Sequence, residues 1–261
     1  MTAEFGTPRT AIVTGGAKRI GAALARALSA DGWHVLIHCR ESQAEARALA
    51  AELGQARVVA ADLAAPDGAA RVMAALDGMP PAGLLVNSAS RFTYDSFDDF
   101  DAAGWDAHMA ANLRAPALLT QAFARHVAPG AGALVINLLD AKLAAPNPDF
   151  FSYTVSKMGL AGLTELSARA LAARRIRVCG IAPSITLVSG PQSRANFEQV
   201  HALNPLERGV RVEEIVAALR FIVATPSLTG QTIVIDGGHR FLALPRDVQF
   251  LSPSGDNPMV K

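Results

Sequence analysis

With only two cysteines, Cys39 and Cys179, in 261 residues, the chain has no disulfide framework to hold it together. Two buried thiols in a reducing compartment are expected instead. Charge of one sign is equally scarce. The 24 Lys and Arg against 23 Asp and Glu leave a net charge of +1, which argues against a nucleic-acid surface or an acidic tail. No uninterrupted apolar run approaches the ~20 residues needed to span a bilayer. Met1 to Pro8 has neither the basic start nor the apolar stretch of a signal peptide. A cytoplasmic protein without membrane or nucleic-acid partners is expected. No histidine, cysteine or carboxylate set has metal-ligand spacing, so no metal is expected. With no repeat, low-complexity tract or linker, residues 1–261 read as one domain.

What is present is alternation. Apolar runs near 10–14, 33–38, 57–61, 83–87, 132–138, 176–181 and 231–235 are separated by stretches of helical period. That order predicts an α/β fold: a Rossmann-type, doubly wound parallel sheet of about seven strands with helices on both faces. Ligands then gather beyond the carboxyl ends of the strands.

The first run, Thr10 to Thr14, breaks into Gly15-Gly16-Ala17-Lys18-Arg19-Ile20-Gly21 and continues into an Ala/Leu/Arg helical pattern. Strand, glycine-rich turn and helix in that order form a cradle for a dinucleotide phosphate, because backbone N–H groups and the positive helix end face the anion. The second run ends in His38-Cys39-Arg40-Glu41. An arginine at that tip suits the 2′-phosphate of NADP, with Arg19 as a second cation. Glu41 beside it would instead suit the ribose of NAD. NADPH is the expected cofactor.

Ile136-Asn137-Leu138-Leu139-Asp140 is followed thirteen residues on by Tyr153-Thr-Val-Ser-Lys157. At helical spacing i and i+4 share a face. The ammonium is expected to lower the tyrosine pKa and make the phenol a proton donor. The carboxyl of Asp140, among Leu138, Leu139 and Leu143, is expected to rise toward neutrality and add a second proton-handling group. The plainer expectation is that Asp140 caps a turn or pairs with Lys142. No serine or threonine lies between Ile136 and Phe151, so the neutral hydroxyl that a carbonyl reducer needs is missing.

These residues resemble the short-chain dehydrogenase/reductase family over nearly the whole chain. The likeness is carried by the glycine loop, Asp62-Leu63, Asn87-Ser88-Ala89-Ser90, Asn112, Tyr153-x-x-x-Lys157, Pro183-Ser184-Ile185-Thr186 and Asp236-Gly237-Gly238. Arg19 in place of the middle glycine, Asn87-Ser88-Ala89-Ser90-Arg91-Phe92, Arg40, and Asp140 in place of serine look like its pteridine and dihydromonapterin reductase branch. The resemblance implies a catalytic set of Asp140, Tyr153, Lys157 and Asn112, the last anchoring a water path behind Lys157. The implied cofactor contacts are Gly15, Lys18, Arg19, Ile20, Gly21, His38, Cys39, Arg40, Asp62, Leu63, Asn87, Ser88, Ala89, Tyr153, Lys157, Pro183, Ser184, Ile185 and Thr186. Substrate contacts would be Ser90, Phe92, Asp140, Tyr153 and Leu187, with Phe92 sandwiching a pterin.

A substrate lid is implied over residues 186–204, a loop punctuated by Gly190-Pro191 and then a short helix. The proline-bearing tail, 241–261, is not expected to be one element. Its first part would pack at an interface of a homotetramer, and Arg240 or Arg246 would approach a neighbour's site. The function implied is NADPH-dependent reduction of a dihydropterin or dihydrofolate. The alternatives are a carbonyl reductase of the same family and a non-catalytic NADP(H)-binding regulator.

Overall fold

In a computed structural model that describes residues 5–189 and 192–251, seven parallel strands form one sheet in the order β3-β2-β1-β4-β5-β6-β7. They are β1 (Thr10–Val13), β2 (His34–Cys39), β3 (Ala56–Ala60), β4 (Ala82–Asn87), β5 (Ala133–Leu138), β6 (Ile176–Pro183) and β7 (Thr232–Ile235). Each apolar run in the sequence becomes a strand, with ends shifted by one or two residues. The helices are α1 (Arg19–Ala30), α2 (Gln43–Leu53), α3 (Gly68–Ala74), α4 (Ala102–Met109), α5 (Ala115–His126), α6 (Phe151–Leu171), α7 (Arg194–Val200) and α8 (Val212–Ala224).

Strand side chains alternate between two cores, as a pleat requires. Ala11, Val13, Val35, Ile37, Leu84, Val86, Leu134 and Ile136 face a cluster with Leu24 and Leu28 of α1, Leu49 of α2 and Leu219 of α8. Ile12, Leu36, Leu85 and Val135 face the other side, with Val72 of α3, Leu119 and Phe123 of α5 and Ala168 of α6. Burial on both faces explains why the strands read as continuous apolar runs. The chain reverses its winding between β1 and β4, which leaves a crevice at their carboxyl ends.

Three local devices shape that crevice. A five-residue π segment (Ala110–Arg114) joins α4 to α5 and carries Asn112; such segments recur where a helix must present a side chain out of register. Asp95 caps α6, its carbonyl and carboxylate accepting the N–H groups of Phe151 and Ser152. Between β6 and α8 the expected lid is a loop followed by α7; Gly190-Pro191 lies outside the described residues. Beyond Phe241 only short 3-10 turns occur up to Leu251. Among the described residues, no helix is long and apolar enough to cross a membrane.

Candidate active site

A cavity of about 650 Å³ opens at the strand ends. One flank is the glycine loop, with Gly15, Lys18, Arg19, Ile20 and Gly21. Ser88, Ala89, Ser90 and Phe92 follow from the β4 loop. Asp140, Tyr153 and Lys157 stand at the centre, and Pro183, Ser184, Ile185, Thr186 and Leu187 close the side beyond β6.

The glycine loop fits an anion. Helix α1 starts without a side-chain cap and with no acid in its first turn, so its orphan N–H groups and helix dipole are left for a negative ligand. Gly15 has φ +60, and a Cβ there would lie 3.0 Å from Ala89 Cα; a Cβ on Gly21 would lie 2.2 Å from the Gly15 carbonyl oxygen. Arg19, which replaces a glycine of the usual pattern, takes φ 55. That left-handed backbone costs a side-chain-bearing residue of order 1 kcal/mol, and Arg19 lines the cavity. Thr14 Oγ1 accepts the N–H groups of Ser88 (2.9 Å) and Ala89 (3.0 Å), so β1 shapes the β4 loop. Nothing in the spacing of the sequence marks that role for Thr14.

Several expected cofactor residues sit elsewhere. Arg40 is at the exposed tip of β2, ion-paired with Glu41 at 2.8 Å; Lys18 stays on the cavity wall, with its ammonium paired to Glu45 at 2.6 Å. Asp62 caps its own turn through Ala64 N–H at 2.9 Å, and Leu63 packs toward the core on the α3 side. Cys39 is buried in the other core. Its side chain, with those of His38 and Asn87, is withdrawn from the cavity. His38 is buried beneath the loop, and Asn87 donates to Asn137 Oδ1 at 2.8 Å, inside the sheet.

At the centre the Tyr153 hydroxyl donates to Asp140 Oδ2 at 2.7 Å. Asp140 Oδ1 accepts the Lys142 N–H at 2.8 Å and starts a 3-10 turn (Ala141–Ala144). The plain turn-capping expectation is therefore met by Oδ1, while Oδ2 takes the Tyr153 hydroxyl. Lys157 Nζ donates to the Leu138 carbonyl at 2.7 Å and stands 5.7 Å from the Tyr153 ring centre.

One expectation is reversed. Burial and then the adjacent Asp140 carboxylate push the Tyr153 pKa up, well above its ordinary value, rather than down. The ammonium does not counter this, because burial lowers Lys157 itself to about 8 and its N–H bond goes to Leu138. Asn112 is bonded to the β4 loop and α6. Its amide accepts from Arg91 N–H (2.7 Å) and Ser90 Oγ (3.1 Å), and donates to Arg91 O (2.9 Å) and Ser156 Oγ (3.0 Å). It clamps the β4 loop to α6, one residue from Lys157, and none of its bonds reaches Lys157.

Phe92 is stacked on Phe150 at 4.2 Å, with Tyr153 edge-on at 4.7 Å, so at most one of its faces is left for a planar ligand. The far wall of the cavity comes from the chain's own tail: His239, Arg240, Leu244, Asp247, Val248 and Gln249. Lys142 Nζ donates to the Asp149 carbonyl at 2.5 Å and pairs with Asp247 at 3.5 Å. Asp149 accepts from Arg246 Nε and Asp247 N–H, both at 2.7 Å. Arg240 is held by Asp236 at 2.8 Å. Both tail arginines thus bind within their own chain. Leu242 and Leu244 pack with Val200 of α7 and Val248. Among the described residues no group of three His, Cys, Asp or Glu is placed to hold a metal.

The comparisons agree with this geometry. The family described as Enoyl-(Acyl carrier protein) reductase matches residues 15–240. A 3-oxoacyl-[acyl-carrier-protein] reductase of Synechocystis sp. is 30% identical, over 89% of this chain and 97% of its own. Pteridine reductase 1 of Leishmania tarentolae is 29% identical, over 89% and 96%. Among solved structures, FolM alternative dihydrofolate reductase 1 from Brucella suis in complex with NADP is 38% identical, with a TM-score of 0.86 over 90% of this chain and 96% of that one. The family match, the sheet order and the Asp140–Tyr153–Lys157 centre lead to one conclusion: the chain belongs to the short-chain dehydrogenase/reductase family and is an oxidoreductase.

Proposed function

We propose that the chain reduces a pteridine, a dihydropterin or dihydrofolate, at a ring C=N bond, with NADPH as cofactor. The observation that carries this reading is the 2.7 Å hydrogen bond from Tyr153 to Asp140 at a position where the segment from Ile136 to Phe151 offers no hydroxyl side chain. Bound NADPH supplies the hydride. The residues that would hold it are the N–H groups at the start of α1, Arg19 toward phosphates, and Lys157 beside the ribose.

Tyr153 and Asp140 act as one proton-holding pair. A developing negative oxygen would be repelled by the Asp140 carboxylate. A basic ring nitrogen is not repelled; it draws the proton held between the two oxygens. Lys157, bound to the Leu138 carbonyl, stands beside the pair, 5.7 Å from the Tyr153 ring centre. Ser90, Leu187 and the face of Phe92 turned from Phe150 would flank a flat bicycle, with tail residues from His239 to Gln249 along the cavity wall. The complexes of the Brucella relatives with NADP and the likeness to pteridine reductase 1 support the same assignment.

The reading includes one reductase domain over residues 1–261. It also includes a homotetramer, supported by the exposed apolar side chains Leu166, Phe221 and Phe241, and a cytoplasmic location, which the two free buried thiols favour. A second reading, reduction of an oxoacyl thioester or ketone, is favoured by the likeness to the Synechocystis enzyme. Following NADPH oxidation with dihydropterin, dihydrofolate and an oxoacyl thioester separates the two. Turnover of the thioester alone would overturn the proposal.

A further inference from the structure

We propose that His38 is the positioning residue that sets the shape of the dinucleotide loop, through one neutral imidazole that ties together the ends of three neighbouring strands. This rests on reading the Gly15–Gly21 turn as a dinucleotide cradle. His38 is 2% exposed, on β2 between β1 and β3. Its Nδ1 lies 3.2 Å from the backbone nitrogen of Gly15, just past β1. Its Nε2 lies 2.9 Å from the carbonyl oxygen of Ala61, just past β3.

These partners fix the chemistry of the ring. A backbone N–H only donates, so Nδ1 is bare and accepts; a carbonyl only accepts, so Nε2 carries the hydrogen. A single neutral tautomer satisfies both contacts, and either the other tautomer or a doubly protonated ring sets N–H against N–H at Gly15. The buried setting holds the ring neutral, with Asp62 as the opposing charge nearby. The main chain of His38 adds a second grip, its carbonyl accepting the Gly16 N–H at 2.9 Å. Two consecutive loop residues are therefore held by one histidine.

The grip has a consequence for the anion site. Gly15 is held at φ +60 with its N–H turned inward to the imidazole, so this donor is unavailable to a phosphate. The N–H groups that remain for the ligand lie further along, at the start of α1. Gly15 also lies so close to Ala89 that a Cβ would reach 3.0 Å from its Cα. A released Gly15 would shift the loop and disturb the β4 segment against it. A shift of that kind weakens cofactor binding without removing any group that touches the cofactor.

Two amide variants separate the contacts, because Asn places a polar atom where Nδ1 stands and Gln reaches the position of Nε2. The readout is the Kd of the full chain for NADPH, from nicotinamide fluorescence. His38→Asn is expected to stay within about threefold of wild type, while His38→Gln and His38→Phe weaken binding by about tenfold or more, the scale of one lost buried hydrogen bond. Wild-type affinity in His38→Phe or His38→Gln, or an equal loss in His38→Asn, overturns the proposal. Should the variants not fold, histidine nitrogen NMR on the wild type decides. A neutral Nε2–H ring for His38 at neutral pH supports the latch, and an Nδ1–H or charged ring overturns it. Wild-type protein that binds no NADPH sinks the cradle reading instead, a result distinct from either histidine outcome.

Discussion

The Tyr153 hydroxyl and the Asp140 carboxylate share one hydrogen bond of 2.7 Å, and burial together with that carboxylate inverts the usual effect of a Tyr-x-x-x-Lys pair. A cation lowers a phenol's pKa, a carboxylate raises it, and here the carboxylate is the nearer partner. The chain contains two tyrosines, Tyr94 and Tyr153, so ultraviolet titration resolves them. Asp140→Asn is expected to move the higher tyrosine titration down toward the ordinary range. An unchanged profile would show that Asp140 does not govern the phenol.

Asp140→Ser restores a neutral hydroxyl facing Tyr153. The expected outcome is a fall in pteridine turnover of about a hundredfold or more, within the range a positioned proton donor supplies, and a gain of measurable ketone reduction. Parallel loss on both substrates would argue against Asp140 as the group that selects between them.

Lys157 is nearly fully buried with its pKa held at about 8, against an ordinary 10.5. Below pH 8 it is charged in the folded and the unfolded chain, and the fold bears the cost of burying that charge. Between 8 and 10.5 the unfolded chain binds the extra proton, so this group's contribution makes stability rise with pH across that window. Lys157→Met is expected to raise unfolding stability at pH 7 by about 1–3 kcal/mol, the desolvation relief less the lost bond to Leu138. The advantage should shrink toward pH 10. Denaturant unfolding at both pH values checks this, and a destabilised variant at pH 7 would contradict it.

Arg19 carries a guanidinium at the expense of a left-handed backbone. Arg19→Gly removes strain of about 1 kcal/mol and adds a similar entropy cost to the unfolded chain. Thermal stability should therefore change little, while NADPH Kd rises about tenfold from the lost cation. Equal affinity in the two proteins would remove Arg19 from the phosphate site.

The tail wall depends on Asp149, which holds Arg246 and the N–H of Asp247. Arg246→Ala is expected to raise the substrate KM several-fold and leave NADPH Kd unchanged, since Arg246 and Asp149 hold the tail and touch no residue of the glycine loop. A change in NADPH Kd alone would place the tail at the wrong end.

The strands were legible because burial on both faces makes them continuous apolar runs, and the strand-turn-helix step at Gly15 marks the cradle from sequence alone. The Asp140–Tyr153 meeting was also legible from spacing, but the sign of its electrostatics was not. That depends on Lys157 turning to the Leu138 carbonyl, which no spacing encodes. In sequence His38 is marked as an implied cofactor contact; only the pairing of β1, β2 and β3 reveals its grip on Gly15. The tail wall was illegible for a similar reason. Lys142, Asp149, Arg246 and Asp247 are about a hundred residues apart across that contact, and a surface lysine and a buried strap look alike in a sequence.

The most direct test is turnover of a dihydropterin by Asp140→Asn at saturating NADPH, set beside the NADPH Kd of the same variant. The expected outcome is a kcat lower by about a hundredfold or more with cofactor affinity near wild type. Undiminished kcat, or loss of NADPH binding in its place, would contradict the assignment of Asp140 and Tyr153 as the proton-holding pair.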